Sequence, residues 1–377
     1  MVGGVEAVNR SKCDGKCEQD DDCEEQTRTW LLERGDSSPS ARLPISFKPC
    51  SKPNFSHLLT QDHLACFHSI PEGWVQASKL IKLKYYMTYG IMDFGMDTYS
   101  SPNSITDTKW VNDHLNDPNV RIVEVDYDPA ANYLQAHIPG SVLWDWRKDL
   151  NDQNSRDILS PSQLEELFAR SGIDDSKTIV LYGDFNNWFA AYAFWDLTYY
   201  RVDNVKLMNG GRKKWLLEDR PVTKEIPSPT RTKYVAKKPD ETVRAYMDYV
   251  KRSLDMSDKV LVDVRGPKEY TGELLAPPEY PNEGAQRGGH VPGAKNIPWA
   301  LAVNDSDGTF KSRSELEQLY ASKGVTPDKE VITYCRIGER SSHTWFVLKY
   351  LLGYPNVKNY DASWTEWGNS LRTPIEK

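Results

Sequence analysis

The chain has 377 residues, which exceeds one typical domain of about 100–150 residues and predicts two domains with additional sequence. Its 39% hydrophobic and 27% charged residues are typical of a folded globular protein and exclude an extensively disordered chain. The net charge of -7 excludes a general attraction to nucleic acid or to an anionic membrane surface. We find neither a stretch of about 20 apolar residues nor a secretory signal pattern, so we expect a cytoplasmic protein.

Residues 1–104 have no counterpart in the rest of the chain, and we expect them to form a flexible N-terminal extension. The segment Glu18–Glu25 carries six carboxylates in eight residues, which is typical of a solvated tail. Five of the six cysteines also lie here, at Cys13, Cys17, Cys23, Cys50 and Cys66. They contain no paired C-x2-C unit, so zinc binding is the weaker hypothesis and we predict no metal site.

The remainder of the sequence is duplicated. SPSQLEELFARSG, beginning at Ser160, aligns without a gap with SRSELEQLYASKG, beginning at Ser312. The repeat is much longer than the 20–50 residues of solenoid units, which indicates two copies of one domain. We assign them to residues 105–222 and 241–377, joined by a proline-containing extended linker over residues 223–240.

Each copy alternates short apolar runs with helical patterns. A helical stretch precedes the run Val120–Val125 in the first copy, and another at Glu241–Ser253 precedes the run Val260–Val264 in the second. Alternation of this kind predicts an α/β fold in which each domain has a mainly parallel sheet flanked by helices. An insertion in the second copy, which includes APPEYPNEG, is interpreted as a flap over the domain interface.

Cys335 is the single cysteine of the duplicated region. It follows the apolar run VITY and precedes a helical pattern that begins near Ser341, so we expect it at the carboxyl end of a strand and beside a helix amino terminus. Ligands bind at this position in open α/β sheets, and backbone amides there favour negative charge. Arg336 and Arg340 add positive charge, which predicts a lowered cysteine pKa, and Gly338 allows the loop to bend.

The segment CRIGERSS at Cys335–Ser342 resembles the active-site loop of thiosulfate sulfurtransferases. HIPG at His137, HVPG at His290, LVDVR at Leu261–Arg265 and NYDASWTEW at Asn359–Trp367 extend the resemblance to the tandem-domain rhodanese family. The resemblance implies two similar α/β domains, of which only the second is catalytic. The first copy has Gly183 and Asp184 in place of the cysteine, which agrees with a structural role.

The resemblance implies that Cys335 is the catalytic nucleophile and carries the transferred sulfur as a persulfide. Thiosulfate is the expected donor, cyanide or a thiol the acceptor, and no metal or organic cofactor is required. The loop residues Arg336, Gly338, Arg340 and Ser341 are expected to bind the substrate through their side chains or backbone amides. Asp263, Arg265 and Ser342 are expected to support the site, with the two serines either contacting sulfur or capping the helix.

Two departures from the family pattern concern the charge of the site. Many mammalian-type members have a basic residue where this chain has Ile337, and an arginine where it has Glu269. Glu339 also places a carboxylate in the anion-binding loop, where it would repel a dianion unless it points outward or pairs with an arginine. His137 and His290 are expected to be structural, and His343 to be exposed on its helix.

Three other functions remain open at this stage. A cysteine phosphatase or arsenate reductase would also use a thiolate in an anion-binding loop. Phosphatases of the related fold, however, have five residues between the cysteine and the arginine of the loop, whereas this chain has four between Cys335 and Arg340. A 3-mercaptopyruvate sulfurtransferase is a second alternative. The third is a carrier that delivers its persulfide to a protein sulfur acceptor.

Overall fold

The computed structural model of the protein describes residues 98–275 and 284–377. The five early cysteines and the acidic run of the extension lie outside these residues, as do residues 276–283 of the expected flap. Within the described part of the chain, no group of His, Cys, Asp and Glu side chains is arranged to hold a metal ion. Among the helices of the same part, none has the length and apolarity needed to traverse a bilayer.

The first domain is built on a sheet in which every strand pairing is parallel. Its strand order is β1-β5-β4-β2-β3. The two central strands bury most of their residues because helices cover both faces, as the apolar runs predict. The strands are β1 Ile105–Thr106, β2 Val120–Asp126, β3 Val142–Asp145, β4 Thr178–Tyr182 and β5 Val205–Met208. The helices are α1 Thr108–Asp113, α2 Trp146–Asp149, α3 Pro161–Ser171, α4 Trp188–Tyr199 and α5 Gly211–Leu217.

The second domain repeats this plan with a parallel sheet of order β7-β6-β8-β9. Its strands are β6 Lys259–Asp263, β7 Lys295–Asn296, β8 Glu330–Tyr334 and β9 Val357–Asn359. Its helices are α6 Met247–Ser253, α7 Pro267–Tyr270, α8 Arg313–Ala321, α9 Glu339–Phe346 and α10 Ser363–Asn369. The predicted fold class, two α/β domains with parallel sheets, is therefore confirmed.

The duplicated segments form equivalent helices with the same start signal. Ser160 caps α3 and Ser312 caps α8, and in both helices the side chain at the third helical position bonds back to the backbone of the cap. This reciprocal arrangement satisfies amide groups that the first helical turn leaves unpaired. The sequence match thus reflects conserved local hydrogen bonding as well as a shared apolar face.

The predicted helix over Glu241–Ser253 is wrong in its first half. A single 3-10 turn spans Glu241–Val243, and α6 begins only at Met247. Between them the chain is extended, because the N–H of Ala245 donates to the carbonyl of Asn359 at 2.9 Å. Tertiary pairing with the end of β9 therefore overrides the local helical preference.

The two domains pack through α4 and α9, the helices that follow the corresponding strands β4 and β8. Phe194 of α4 meets Phe346 of α9 with ring centroids 4.9 Å apart. The segment over residues 224–240 has neither helix nor strand and runs along the first domain, where the N–H of Thr232 donates to Ala169. The ring of Trp188, the first residue of α4, lies 5.8 Å from the guanidinium of Arg340, so a first-domain side chain also reaches the amino end of α9, next to the cysteine.

Candidate active site at the domain interface

The sheet places Cys335 immediately after β8, with the loop Cys335–Gly338 leading directly into α9. The N–H of Gly338 donates to Sγ at 3.2 Å, so one loop amide points at the sulfur as expected. Gly338 has φ +99, and a Cβ there would lie 2.9 Å from the carbonyl oxygen of Asp361. Both the left-handed backbone and the close approach therefore require glycine at this position.

Helix α10 holds the loop from the other side. The N–H of Cys335 donates to Oγ of Ser363 at 3.0 Å, and the N–H of Trp364 donates to the carbonyl of Cys335 at 3.2 Å. Ser363 itself has φ +52, a strained conformation for a residue with a side chain. Ser363 lies within the NYDASWTEW segment, but nothing in that local pattern indicates a contact with the cysteine.

Asp263 and Arg265 brace this arrangement from below. They form a buried pair with nitrogen-to-oxygen distances of 3.0 and 2.6 Å, and Arg265 also donates to the carbonyl of Gly289. The guanidinium lies 4.5 Å from the centre of a ring of Trp364, whose backbone holds the cysteine carbonyl. The structure thus connects the predicted supporting pair to the loop through α10.

Ser341 and Ser342 both donate their hydroxyls to the carbonyl of Gly338, at 3.0 and 2.8 Å. Asn359 in turn donates to Oγ of Ser342 at 2.8 Å. Of the two roles considered from the sequence, Ser342 has only the structural one in these contacts. Ser341 makes the same structural contact, and its backbone amide also acts to lower the pKa of the Cys335 thiol.

Arg340 forms an ion pair with Glu269, a residue that stood out in the sequence only as a departure from the family pattern. Its two terminal nitrogens bind the two oxygens of Glu269 at 2.8 and 3.0 Å, and each side chain is only 5% exposed. Burial opposes ionisation of Glu269, but the hydrogen bonds and charge of Arg340 outweigh it and hold the pKa of this carboxyl below its usual value. The only sign of this pairing in the sequence is that Glu269 is acidic where many family members have an arginine.

Glu339 points into the loop instead of away from it. Its side chain is 1% exposed, and Sγ of Cys335 donates to Oε2 at 3.2 Å. Oε1 lies 3.5 Å from Nε of Arg340 and 3.8 Å from a terminal nitrogen of Arg336, whose side chain is also buried. Two carboxylates, Glu339 and Glu269, therefore oppose the two loop arginines.

The prediction that the loop lowers the pKa of Cys335 is wrong, because burial and a nearby carboxylate outweigh the arginines. Complete burial raises the pKa of the Cys335 thiol, and the charge of Glu339 adds to this effect. Arg340 and the hydrogen bonds from Ser341 act in the opposite direction but do not overcome it. The thiol form of Cys335 is therefore favoured, and Sγ donates to Oε2 of Glu339.

The expectation that His343 is exposed is also wrong. It is fully buried, 4.8 Å from the ring of Phe310 and 5.7 Å from that of Trp299, and burial lowers its pKa to about 3. Trp299 meets Trp188 of α4, which also lies 5.8 Å from the guanidinium of Arg340. An aromatic cluster from both domains therefore covers the side of α9 that sequence reasoning left open to solvent.

His137 and His290 occupy equivalent positions that account for their shared motif. Nδ1 of each ring lies 2.9 Å from a backbone oxygen, of Tyr133 and of Tyr270 respectively, and each ring stacks on the same tyrosine. These contacts hold the same turn in place in both domains.

The corresponding place in the first domain has no thiol. After β4 it carries Gly183 and Asp184, and a Cβ on Gly183 would lie 2.5 Å from the carbonyl oxygen of Val125. Burial raises the pKa of Asp184 to about 6 and that of the neighbouring Glu124 to about 7. Backbone crowding and buried carboxylates at this position are unsuited to a thiolate or an anionic substrate.

A cavity of about 430 Å³ opens beside the loop, between the two domains. Ile337 of the loop forms part of its wall, together with Asp157 from the first domain and Arg244 and Asp361 from the second. Cys335 is 0% exposed, so a substrate reaches its sulfur only after a neighbouring side chain moves.

The fold and the site define a class of protein: a tandem α/β protein with one loop-borne thiol at the domain interface. A family model described as "Rhodanese-like domain" matches residues 107–218 and again residues 247–370. The chain belongs to the rhodanese family and is a sulfurtransferase of that family.

Relatives with assigned names agree with this placement. The chain is 54% identical over 282 residues to the "Sulfur carrier protein TtuD" of Thermus thermophilus, covering 74% of this chain and 98% of the relative. It is 53% identical over 273 residues to a protein of Haloferax volcanii named "Putative thiosulfate sulfurtransferase", covering 71% of this chain and 94% of the relative.

Among solved structures, the anaerobic ergothioneine biosynthesis enzyme from Chlorobium limicola, in complex with trimethyl histidine, is similar with a TM-score of 0.69 and 26% identity. The match covers 81% of this chain and 80% of that one. A solved structure of an EanB variant that carries a cysteine persulfide is also similar to this chain, with a TM-score of 0.69 and 26% identity over 81% of each chain.

Proposed function

We propose that the protein transfers sulfane sulfur from thiosulfate to cyanide or a thiol through a persulfide on Cys335. The observation that carries this proposal is the position of the thiol, buried at the end of β8 with the Gly338 amide 3.2 Å from Sγ. An amide directed at the sulfur stabilises the negative charge of both a thiolate and a persulfide. The high identity to a relative named for thiosulfate sulfurtransfer supports the same donor.

In the proposed cycle, Sγ attacks the outer sulfur of thiosulfate, sulfite leaves, and an acceptor then removes the sulfur from the persulfide. The guanidinium groups of Arg336 and Arg340 are assigned to the sulfonate of the donor. Because Glu269 already occupies both terminal nitrogens of Arg340, Arg336 carries the larger share of this binding. The cavity beside Ile337 offers room for donor and acceptor to approach the loop.

A carrier function is the second candidate, favoured by the name of the Thermus thermophilus relative. In that case the persulfide would pass to a protein partner and free cyanide would be a poor acceptor. Mercaptopyruvate also remains open as the donor. Turnover with thiosulfate and with mercaptopyruvate, each with cyanide as acceptor, separates these three functions in one assay.

The replacement Cys335→Ser tests the proposal directly, since a hydroxyl cannot form the persulfide. We expect loss of all sulfur transfer while circular dichroism and the unfolding midpoint stay close to wild type. Mass spectrometry of the wild type after thiosulfate should show one added sulfur on Cys335. Residual turnover above a few per cent, or sulfur on another cysteine, would contradict the assignment.

A further inference from the structure

The contact between Glu339 and Cys335 gives this carboxylate access to the reacting sulfur. Glu339 is the first residue of α9, four positions after the cysteine, and the loop turns back so that Oε2 lies 3.2 Å from Sγ. Sulfur is the donor in this hydrogen bond, so the thiol proton is directed at the carboxylate oxygen. A group at this distance satisfies the geometric requirement for a general base.

The second oxygen of Glu339 is oriented by the arginines of the same loop. Oε1 faces Arg340 at 3.5 Å and Arg336 at 3.8 Å, so the carboxylate is held between two guanidinium groups and the sulfur. With its side chain 1% exposed, bulk water does not compete for the position of Oε2. A residue that served only to neutralise the arginines would not need an oxygen directed at Sγ.

We propose that Glu339 is a catalytic residue that takes the thiol proton of Cys335 as the sulfur attacks the donor, and passes it to the leaving group. This inference rests on the Cys335 persulfide cycle proposed above. It also resolves the repulsion expected between Glu339 and an anionic donor, because the carboxyl is neutral once it holds the proton. Donor attack and charge compensation then occur together.

The step balances in atoms and charge. A bond forms between Sγ and the outer sulfur of thiosulfate, and the sulfur–sulfur bond of thiosulfate breaks with its electron pair leaving on sulfite. The proton moves from Sγ to Oε2 and then to a sulfite oxygen, which gives hydrogen sulfite and an anionic persulfide. When hydrogen cyanide accepts the sulfur, thiocyanate leaves and its proton returns to Sγ.

The charged groups around the sulfur define what a pH measurement will report. Glu339, Arg336 and Arg340 come from the loop and α9 themselves. Glu269 of α7 faces the site through Arg340, and Asp361 packs against Gly338 from the segment after β9. Removing the charge of Glu339 alone should make the thiol easier to ionise, because that charge contributes to its raised pKa.

The variant Glu339→Gln separates proton transfer from positioning. Single-turnover release of the leaving group is measured with two donors: thiosulfate, and methanethiosulfonate, whose sulfinate is a much weaker base than sulfite and leaves without a proton. Both donors require removal of the thiol proton, so we expect both steps to slow: the thiosulfonate step by about tenfold, and the thiosulfate step, which also needs a proton on the leaving sulfite, on the order of a hundredfold. Alkylation of Cys335 by iodoacetamide should shift to lower pH. The matched control is Glu317→Gln, which removes a carboxylate on α8 that is 51% exposed, and it should change neither the two donor rates nor the alkylation midpoint.

An unchanged thiosulfate rate in Glu339→Gln, or an equal loss with both donors, would overturn the inference. If that variant does not fold, Glu339→Asp keeps the charge but withdraws the carboxylate by one methylene. It should slow the thiosulfate step while leaving the alkylation midpoint near wild type, and a wild-type rate would overturn the inference. Persulfide formation on Cys335 in the wild type is read separately by mass spectrometry, so failure of this role leaves the proposed function standing.

Discussion

Replacing Glu269 by glutamine tests how strongly the buried partner of Arg340 controls the site. In the wild type the pair has two hydrogen bonds, at 2.8 and 3.0 Å, and both side chains are 5% exposed. Breaking a buried pair by removing one charge costs about 3–5 kcal/mol, because the remaining charge stays buried. Glutamine retains one oxygen that can accept from Arg340, so we expect a loss of about 3 kcal/mol in the free energy of unfolding.

The same change should improve binding of an anionic donor. With Glu269 neutral, Glu339 remains as the carboxylate beside Arg340, and more of the charge of Arg340 becomes available to a sulfonate. We expect the KM for thiosulfate to fall about tenfold, which corresponds to about 1.4 kcal/mol. The variant is therefore predicted to be less stable and to hold its donor more tightly, a combination that nonspecific damage to the fold would not produce.

Urea unfolding and steady-state kinetics measure the two effects. Glu317→Gln is the control, because it breaks a pair with Arg313 whose side chains are 35% and 51% exposed and should cost less than about 0.5 kcal/mol. A loss below about 1 kcal/mol in Glu269→Gln would show that the pair is screened by solvent. A KM that rises instead of falling would show that Arg340 does not face the donor.

Three further predictions concern other parts of the molecule. Arg336→Gly should weaken thiosulfate use roughly ten- to a hundredfold, about 1.5–3 kcal/mol for a lost charged hydrogen bond, and mercaptopyruvate use much less; equal losses in kcat/KM would contradict the sulfonate role. Burial raises the pKa of Asp196 to about 8, so the stabilisation that its protonated form contributes below about pH 4 should be lost as the pH rises toward 8. The free energy of unfolding should fall by up to about 1.4 kcal/mol per pH unit in this range, and urea unfolding at several pH values should show a weaker pH dependence in Asp196→Asn. Deleting residues 1–97 should leave the donor half-reaction unchanged, whereas deletion through Ser104 should lower the unfolding midpoint, because Tyr99 donates to the carbonyl of Lys311; an equal midpoint in both would contradict this.

Glu269 shows why part of the site was not predictable. It lies 71 residues from Arg340 in the sequence, and only the crossing from β6 through α7 to the end of β8 brings the two together. The sequence showed an acidic residue where relatives have arginine, but a substitution alone does not identify its partner. The same holds for Ser363, whose hydroxyl reaches the Cys335 amide because α10 returns to the loop.

The sequence by itself determined the duplication, the α/β class of both domains and the position of Cys335 at the end of a strand, because these follow from local patterns of apolar residues and helix signals. The tertiary structure decided which way the side chains of α9 point. The first five residues of α9 include Glu339, Arg340 and His343 with no periodic signal for burial, and Trp188 of α4 in the first domain packs against Trp299 and beside Arg340. Within the second domain the carboxylate of Glu339 turns toward the sulfur and His343 is enclosed by Phe310 and Trp299, so the balance of charge at the thiol depends on tertiary packing that local sequence patterns do not encode.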